Sequence, residues 1–174
     1  MRRSVVTILV LLVIAAGAVI AVSTQSGSDK ANTSDIDRIL RDAVLTDFAG
    51  NEYTLQDFEG KTVLVDIWET WCTPCLQSFP TLQQLMEDYP DDFVVLAVSP
   101  GYMDSPDQVR EFVENHDYDF EFLFGEELTR ELGVQSIPYK VYVSPNGEHV
   151  ASITGTQGPE EDYEKTREII EEYL

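Results

Sequence analysis

The stretch from Thr62 to Cys75 reads TVLVDIWETWCTPC and sets the architecture of the chain. Its first seven residues, Thr62 to Trp68, are mainly apolar and β-branched, which predicts a strand buried on both faces. Cys72 and Cys75 follow, separated by Thr and Pro. Residues 73–89 then place apolar side chains at helical spacing. The stretch therefore predicts a buried strand that leads through a cysteine pair into a helix.

The position of the two cysteines indicates thiol chemistry. A sulfur at the N-terminus of a helix faces unpaired N–H groups and the helix dipole, which favour the thiolate and lower the thiol pKa. We therefore expect Cys72 to be exposed, readily ionised and nucleophilic. One helical turn brings Cys75 within disulfide reach from a deeper position. Exchange with a substrate would pass through a mixed disulfide on Cys72.

Three other interpretations of the pair remain open. A zinc site needs four ligands, and His116 and His149 lack ligand spacing to the two cysteines. A thiol peroxidase places its reactive cysteine in a Thr/Pro-rich loop without a CxxC partner. A tethered, non-catalytic binding module could use Cys72 and Cys75 only as a structural disulfide. The helix-start placement favours a redox pair, with no metal and no organic cofactor.

Two acidic residues stand close to the pair. Asp66 falls inside the predicted buried strand, where a carboxylate is costly unless its pKa rises or it finds a partner. The alternative is that Asp66 lies at a wet strand edge. Glu69 precedes the motif, and we interpret it as a solvated loop charge.

The remainder of the chain alternates helical and strand patterns. Residues 48–53 predict a hairpin turn between two short strands, because Gly-Asn supplies the backbone freedom that the turn needs. Strands are predicted at 93–98, 120–124, 141–143 and 149–154, and helices at the capping sequence that begins at 105, at 126–132 and at 159–174. This order predicts an α/β fold with a mixed central sheet.

The N-terminal segment predicts an attachment to a membrane. Arg2 and Arg3 precede Val5 to Val22, which is uncharged and would span roughly 27 Å as a helix, close to the hydrocarbon thickness of a bilayer. The basic residues favour the cytoplasmic side, so the rest of the chain is expected outside the cytoplasm. We assign residues 1–22 to a signal-anchor, 23–35 to a flexible linker and 36–174 to one domain. A cleaved signal peptide, giving a secreted protein, is the alternative.

The composition excludes one class of function. The chain has 32 acidic and 11 basic residues and a formal charge of −21. Such a surface repels phosphate, which argues against binding of nucleic acid. High acidity with few lysines also suggests the hypothesis of adaptation to a high-salt habitat.

The sequence resembles the thioredoxin superfamily. Val65–Trp68 followed by Trp71–Cys75 is similar to that family's active site, Pro80 matches its helix kink, and Ile137-Pro138 matches its cis-proline strand. The anchor, the hairpin that ends in residues 53–61 and a central helix-strand insert resemble the membrane-anchored TlpA/ResA-like branch. The resemblance implies a thioredoxin-like fold with an N-terminal hairpin and that insert.

The resemblance also implies roles for individual residues. Pro138 would adopt a cis bond and let the backbone of Ile137 pair with an extended substrate. Trp71 would shield the sulfur, and Thr73 and Pro74 would tune the reduction potential. These three residues would contact the substrate together with Ile137 and Pro138. Asp66 would move a proton on or off Cys75.

The same resemblance implies partners. These are protein substrates with cysteine thiols or disulfides and a membrane thiol carrier as electron donor, so that the protein acts as a reductant, with c-type cytochromes or copper proteins as clients. Three positions depart from the branch: Ser78 replaces a Glu, and Tyr139 and Lys140 replace the residues that commonly follow the proline. We interpret Tyr139 and Lys140 as residues that alter the choice of partner.

Overall fold

The structure, a computed structural model, describes residues 33–174 of the chain. Its strands are β1 (Leu45–Thr46), β2 (Glu52–Tyr53), β3 (Thr62–Ile67), β4 (Phe93–Ser99), β5 (Glu121–Phe124), β6 (Tyr139–Val143) and β7 (His149–Thr154). Its α-helices are α1 (Thr33–Asp42), α2 (Thr73–Asp88), α3 (Pro106–Glu114), α4 (Glu126–Glu131) and α5 (Pro159–Glu171), and a short 3-10 helix covers Leu55–Phe58.

The strands form one mixed sheet in the order β2-β1-β5-β4-β3-β6-β7. β3, β4 and β5 run parallel, whereas β6 is antiparallel to β3, and β7 is antiparallel to β6. β3 lies between β4 and β6, and all six of its residues are buried. The prediction of a strand buried on both faces and of a mixed α/β sheet is therefore confirmed.

Two apolar cores lie on opposite faces of the sheet because side chains alternate along each strand. Val63 and Val65 of β3 pack into the core that α1 and α4 cover. Leu64 and the following Trp68 pack into the other core, which α2, α3 and α5 cover. The Trp68 ring lies 5.0 Å from that of Phe79 between centroids. Aromatic packing thus holds α2 against β3, the strand that leads into the cysteine pair.

The predicted hairpin and insert are both present. β1 and β2 pair antiparallel, and β1 joins the sheet beside β5. The insert contributes α3, β5 and α4 between β4 and β6, so it extends the sheet by one parallel strand. α1 begins at Thr33, so residues 33–35, which we had assigned to the linker, are helical.

The predicted membrane anchor lies outside the described residues, as does the linker up to residue 32. Within residues 33–174, none of the helices combines the length and hydrophobicity that crossing a bilayer requires.

Candidate active site

The cysteine pair occupies the junction between β3 and α2. Cys72 is the N-cap residue of α2, and its Sγ accepts a hydrogen bond of 3.3 Å from the backbone N–H of Cys75. The two cysteines form a disulfide, with their Cα atoms 5.3 Å apart. The predicted pairing and the predicted capping position are confirmed. The N–H group that contacts Cys72 Sγ is also the kind of donor that stabilises a thiolate.

The exposure of Cys72 differs from the prediction. Only 2% of the residue is exposed, and Cys75 is fully buried, so the two cysteines differ less in burial than we expected. Cys72 lies at a groove whose walls come from segments distant in sequence. A helix start in the sequence indicates where the sulfur lies but not which loops cover it. A substrate must therefore reach Cys72 through this groove.

We call this depression the active-site groove, and its volume is about 550 Å³. Its lining residues are Glu69, Trp71, Cys72, Thr73, Pro74, Pro100, Tyr102, Met103, Thr129, Val134, Gln135, Ser136 and Ile137. Four of the five residues predicted to contact substrate are among them, and the fifth, Pro138, is buried next to Ile137. The Ile137–Pro138 peptide bond is cis, as the resemblance implied.

Glu69 is not the solvated loop charge that we predicted. It is 2% exposed and lies beside the disulfide. Its Oε2 accepts a hydrogen bond of 2.7 Å from the indole N–H of Trp71, and its Oε1 accepts one of 2.9 Å from the backbone N–H of Met103. These donors replace the water that an exposed carboxylate would bind, which explains how the charge is buried.

Asp66 is fully buried, which excludes the wet strand edge. Within residues 33–174, the buried side-chain N and O atoms without a hydrogen-bond partner are its two carboxyl oxygens and the Trp68 Nε1. Burial raises the pKa of Asp66 to about 7, the Asp162 carboxylate adds to the rise, and the Lys140 ammonium opposes it. Asp66 shares with Leu64 and Trp68 the face of β3 that α2 covers, which places it on the same side of the sheet as Cys75.

Lys140 faces the protein interior, not a partner. It pairs with Asp66 in the register of β6 against β3 and is 2% exposed. Its Nζ lies 2.6 Å from Asp162 Oδ2, and the Ser78 hydroxyl donates to the same oxygen at 2.7 Å. Our interpretation of Lys140 as a determinant of partner choice is therefore wrong.

Asp162 brings a carboxylate into contact with Ser78, the residue of α2 at which the resemblance would place a Glu. Burial alone would raise its pKa, but hydrogen bonds from Lys140, Ser78 and Thr156 outweigh burial and lower it. Asp162 belongs to α5, 84 residues after Ser78. No local pattern links the two positions, so the sequence offered no signal for Asp162. The placement of Lys140 opposite Asp66 could have been predicted from the pairing register of β6 with β3.

Comparison with known proteins places the cysteine pair within a family match and finds relatives that are thiol-disulfide oxidoreductases. The pattern that defines the AhpC/TSA family matches residues 36–150, a range that contains the cysteine pair and Pro138. The thiol-disulfide oxidoreductase ResA of Bacillus cereus is 30% identical over 168 residues, which is 95% of this chain and 91% of that protein.

Solved structures share the fold. The exposed lipoprotein thioredoxin Etrx1 of Streptococcus pneumoniae superposes with a TM-score of 0.60 and 27% identity, over 72% of this chain and 97% of that chain. A Chlorobium tepidum protein described as a thiol:disulfide interchange protein DsbE gives a TM-score of 0.63 and 26% identity, over 75% and 92% of the two chains.

Proposed function

Because this chain belongs to the AhpC/TSA family and is a thiol–disulfide oxidoreductase of the ResA/DsbE type, we propose that it reduces protein disulfides outside the cytoplasm. The observation that carries the proposal is the Cys72–Cys75 disulfide, which caps α2 and borders an apolar groove. The described state is then the oxidised product of one reaction cycle.

The first step is attack by the reduced enzyme on a substrate disulfide. The Cys72 thiolate forms a bond to one substrate sulfur, the substrate S–S bond breaks, and the departing thiolate takes a proton from water. The N-terminal position on α2 favours the thiolate of Cys72, since backbone N–H groups and the helix dipole face it. The groove holds the substrate chain so that its sulfur faces Cys72.

The second step releases the substrate. Cys75 gives its thiol proton to the Asp66 carboxylate, and the resulting thiolate attacks Cys72 Sγ. The intramolecular disulfide forms, the bond between Cys72 and the substrate sulfur breaks, and the departing substrate thiolate takes a proton from water. A carboxyl group with a pKa of about 7 suits this role, because near neutral pH it can both accept and release a proton. Among residues 33–174, Asp66 has no hydrogen-bond partner that would hold it in one protonation state.

Cysteine variants test the reaction class. Reduced protein is expected to reduce insulin, Cys72→Ser is expected to abolish that activity, and Cys75→Ser is expected to accumulate mixed disulfides, since the resolving thiol is gone. Hydrogen peroxide consumption by the same variants is the control. If Cys72→Ser retained full activity, or if Cys75→Ser consumed peroxide as fast as the wild type without trapping substrate, the proposal would be wrong.

The direction of electron flow has its own measurement. Equilibration of Cys72 and Cys75 with glutathione or dithiothreitol buffers gives the reduction potential of the pair. A reductant is expected at about −270 mV, whereas a value of about −120 mV would indicate an oxidant. Identification of the proteins trapped by Cys75→Ser would show whether c-type cytochromes or copper proteins are clients.

The location outside the cytoplasm rests on residues 2–22, where two arginines precede an apolar run. We propose that this segment anchors the protein and that a membrane thiol carrier returns electrons to the disulfide. Fractionation of cells that express the full chain, followed by protease treatment of intact spheroplasts, tests this. The protein should sediment with membranes and be digested; recovery of an undigested cytosolic protein would overturn the assignment.

A further inference from the structure

Two loops beside the disulfide, one after β3 and one after β4, are joined by hydrogen bonds in which each loop contributes one buried carboxylate as the acceptor. Glu69, in the loop after β3, accepts a hydrogen bond of 2.9 Å from the backbone N–H of Met103, in the loop after β4. Asp104, from that second loop, accepts hydrogen bonds from the backbone N–H and the hydroxyl of Thr70. Each loop thus supplies a carboxylate to the backbone of the other, and both carboxylates are almost fully buried.

Glu69 also holds the aromatic side chain next to the reactive cysteine. Its second oxygen accepts the hydrogen bond from the Trp71 indole, so one carboxylate fixes both Trp71 and the Met103 backbone. An ionised carboxylate offers acceptors on both oxygens, which suits donors that converge from two sides. A glutamine could satisfy only one side, because its NH₂ group would face an N–H donor.

The side chains that this arrangement positions are apolar and exposed. Trp71, Tyr102 and Met103 are 53%, 54% and 72% exposed, and all three line the active-site groove. Val134 and Ile137 belong to the same lining. Exposed apolar side chains gathered in one depression mark a binding surface. The acidic residue of the lining is Glu69, and its two oxygens accept hydrogen bonds from the Trp71 indole and the Met103 backbone.

We propose that Glu69 is a positioning residue that fixes Trp71 and the Tyr102–Met103 segment as a wall, and that this wall selects substrates with an apolar side chain next to the reacting cysteine. The inference rests on the proposed disulfide exchange, since the groove borders Cys72. The occupant is therefore an extended protein segment whose cysteine reaches Cys72 while its apolar neighbour contacts the wall.

Three disulfides of different size test the inference with the full-length protein. Two are symmetrical peptide dimers that differ only in the residue after the cysteine, Leu in one and Ser in the other. The third is 2-hydroxyethyl disulfide, which is too small to contact the wall and reports on the chemistry alone. Wild type is expected to show a KM about tenfold lower for the Leu peptide than for the Ser peptide, as partial burial of one leucine would produce.

Glu69→Gln is expected to raise the KM for the Leu peptide about tenfold, to leave its kcat nearly unchanged, and to change the rate with 2-hydroxyethyl disulfide less than about twofold. Met103→Ser, at an exposed side chain, should weaken the same preference even if Glu69→Gln fails to fold. Asp107→Asn, an exposed carboxylate at the start of α3, is the matched control and should behave as wild type.

The outcomes separate the two proposals. If wild type reduced the Leu and Ser peptides with equal KM, or if Glu69→Gln slowed all three disulfides equally through kcat, the role of the wall would be refuted while disulfide exchange stood. If wild type reduced none of the three, the proposed function itself would fail.

Discussion

Asp66 and Glu69 are buried carboxylates three residues apart, and they differ in their hydrogen-bond partners. Glu69 accepts hydrogen bonds at both oxygens from the Trp71 indole and the Met103 backbone. In the described part of the chain, Asp66 has no hydrogen-bond partner at either oxygen, although Lys140 lies opposite it on the neighbouring strand β6. Glu69 lies at the active-site groove beside the disulfide, whereas Asp66 lies on the face of the sheet whose core contains the disulfide.

The difference shows that burial alone does not define what a carboxylate does. A carboxylate whose oxygens accept several N–H bonds is held in place and serves as a structural element. A carboxylate that burial leaves without partners has its proton affinity raised, which suits proton transfer. Lys140 does not stabilise Asp66 as a direct partner, because its ammonium binds Asp162 instead. The contrast can be tested by removing each group in turn.

The largest effect is expected for Asp66→Asn, as a change in the pH dependence of stability. The folded-state pKa of about 7 lies above the ordinary value of 3.8, so the folded protein holds a proton that the unfolded chain releases. Wild-type stability should therefore fall as pH rises from about 4 to 7, by on the order of 4 kcal/mol from this group. The variant should lack this loss.

Urea unfolding of the oxidised protein at pH 4, 6 and 8 measures the difference between variant and wild type. Asp91→Asn, at an exposed carboxylate, is the control and should follow wild type at every pH. A constant difference between Asp66→Asn and wild type across this range would show that the carboxyl group does not take up a proton on folding.

Lys140→Met is expected to destabilise the protein by about 3 kcal/mol, because it leaves the Asp162 carboxylate without its cation. Chemical unfolding at pH 7 measures the loss. Lys165→Met removes an exposed lysine 4.0 Å from Glu168 and should change stability by less than about 0.5 kcal/mol. Equal effects of the two variants would refute the importance of the buried ion pair.

Asp162→Asn and Lys140→Met are expected to move the pKa of Asp66 in opposite directions. Removal of Asp162 takes away a negative charge and frees Lys140, so the pKa of Asp66 should fall, whereas removal of Lys140 should raise it. A change of about tenfold in proton affinity is expected for each. Titration of the carboxyl carbon resonance by ¹³C NMR measures it, and a shift of both variants in one direction would contradict the electrostatic account.

The smallest effect is expected for Trp71→Phe, which removes the indole donor to Glu69 but retains an aromatic ring. The loss of stability should be about 0.5 kcal/mol, since Trp71 is half exposed and water can replace the lost donor. Urea unfolding measures this loss. A loss above about 2 kcal/mol would mean that the Glu69–Trp71 bond supports the core as well as the groove.

Local patterns predicted the elements well because the signals were short-range. The apolar run of β3, the capping sequence before α3 and the hairpin turn each depend on residues that are neighbours in the chain, and each was confirmed. Glu69 was misjudged for the opposite reason. Its burial depends on Trp71 and on a loop 34 residues away, and no local pattern specifies that contact.

The order of residues was sufficient to predict the mixed sheet, the helix that begins at the cysteine pair, the disulfide and the burial of Asp66. These features follow from periodicity, from spacing within one helical turn and from the apolar neighbours of one strand. Only the tertiary structure brings Asp162 to Lys140 and covers Cys72 with distant loops. It also places the Met103 backbone N–H where it donates to Glu69. The physical reason is that hydrogen bonds and ion pairs act over a few ångströms in space, between residues as far apart in the chain as Ser78 and Asp162, which are separated by 84 positions.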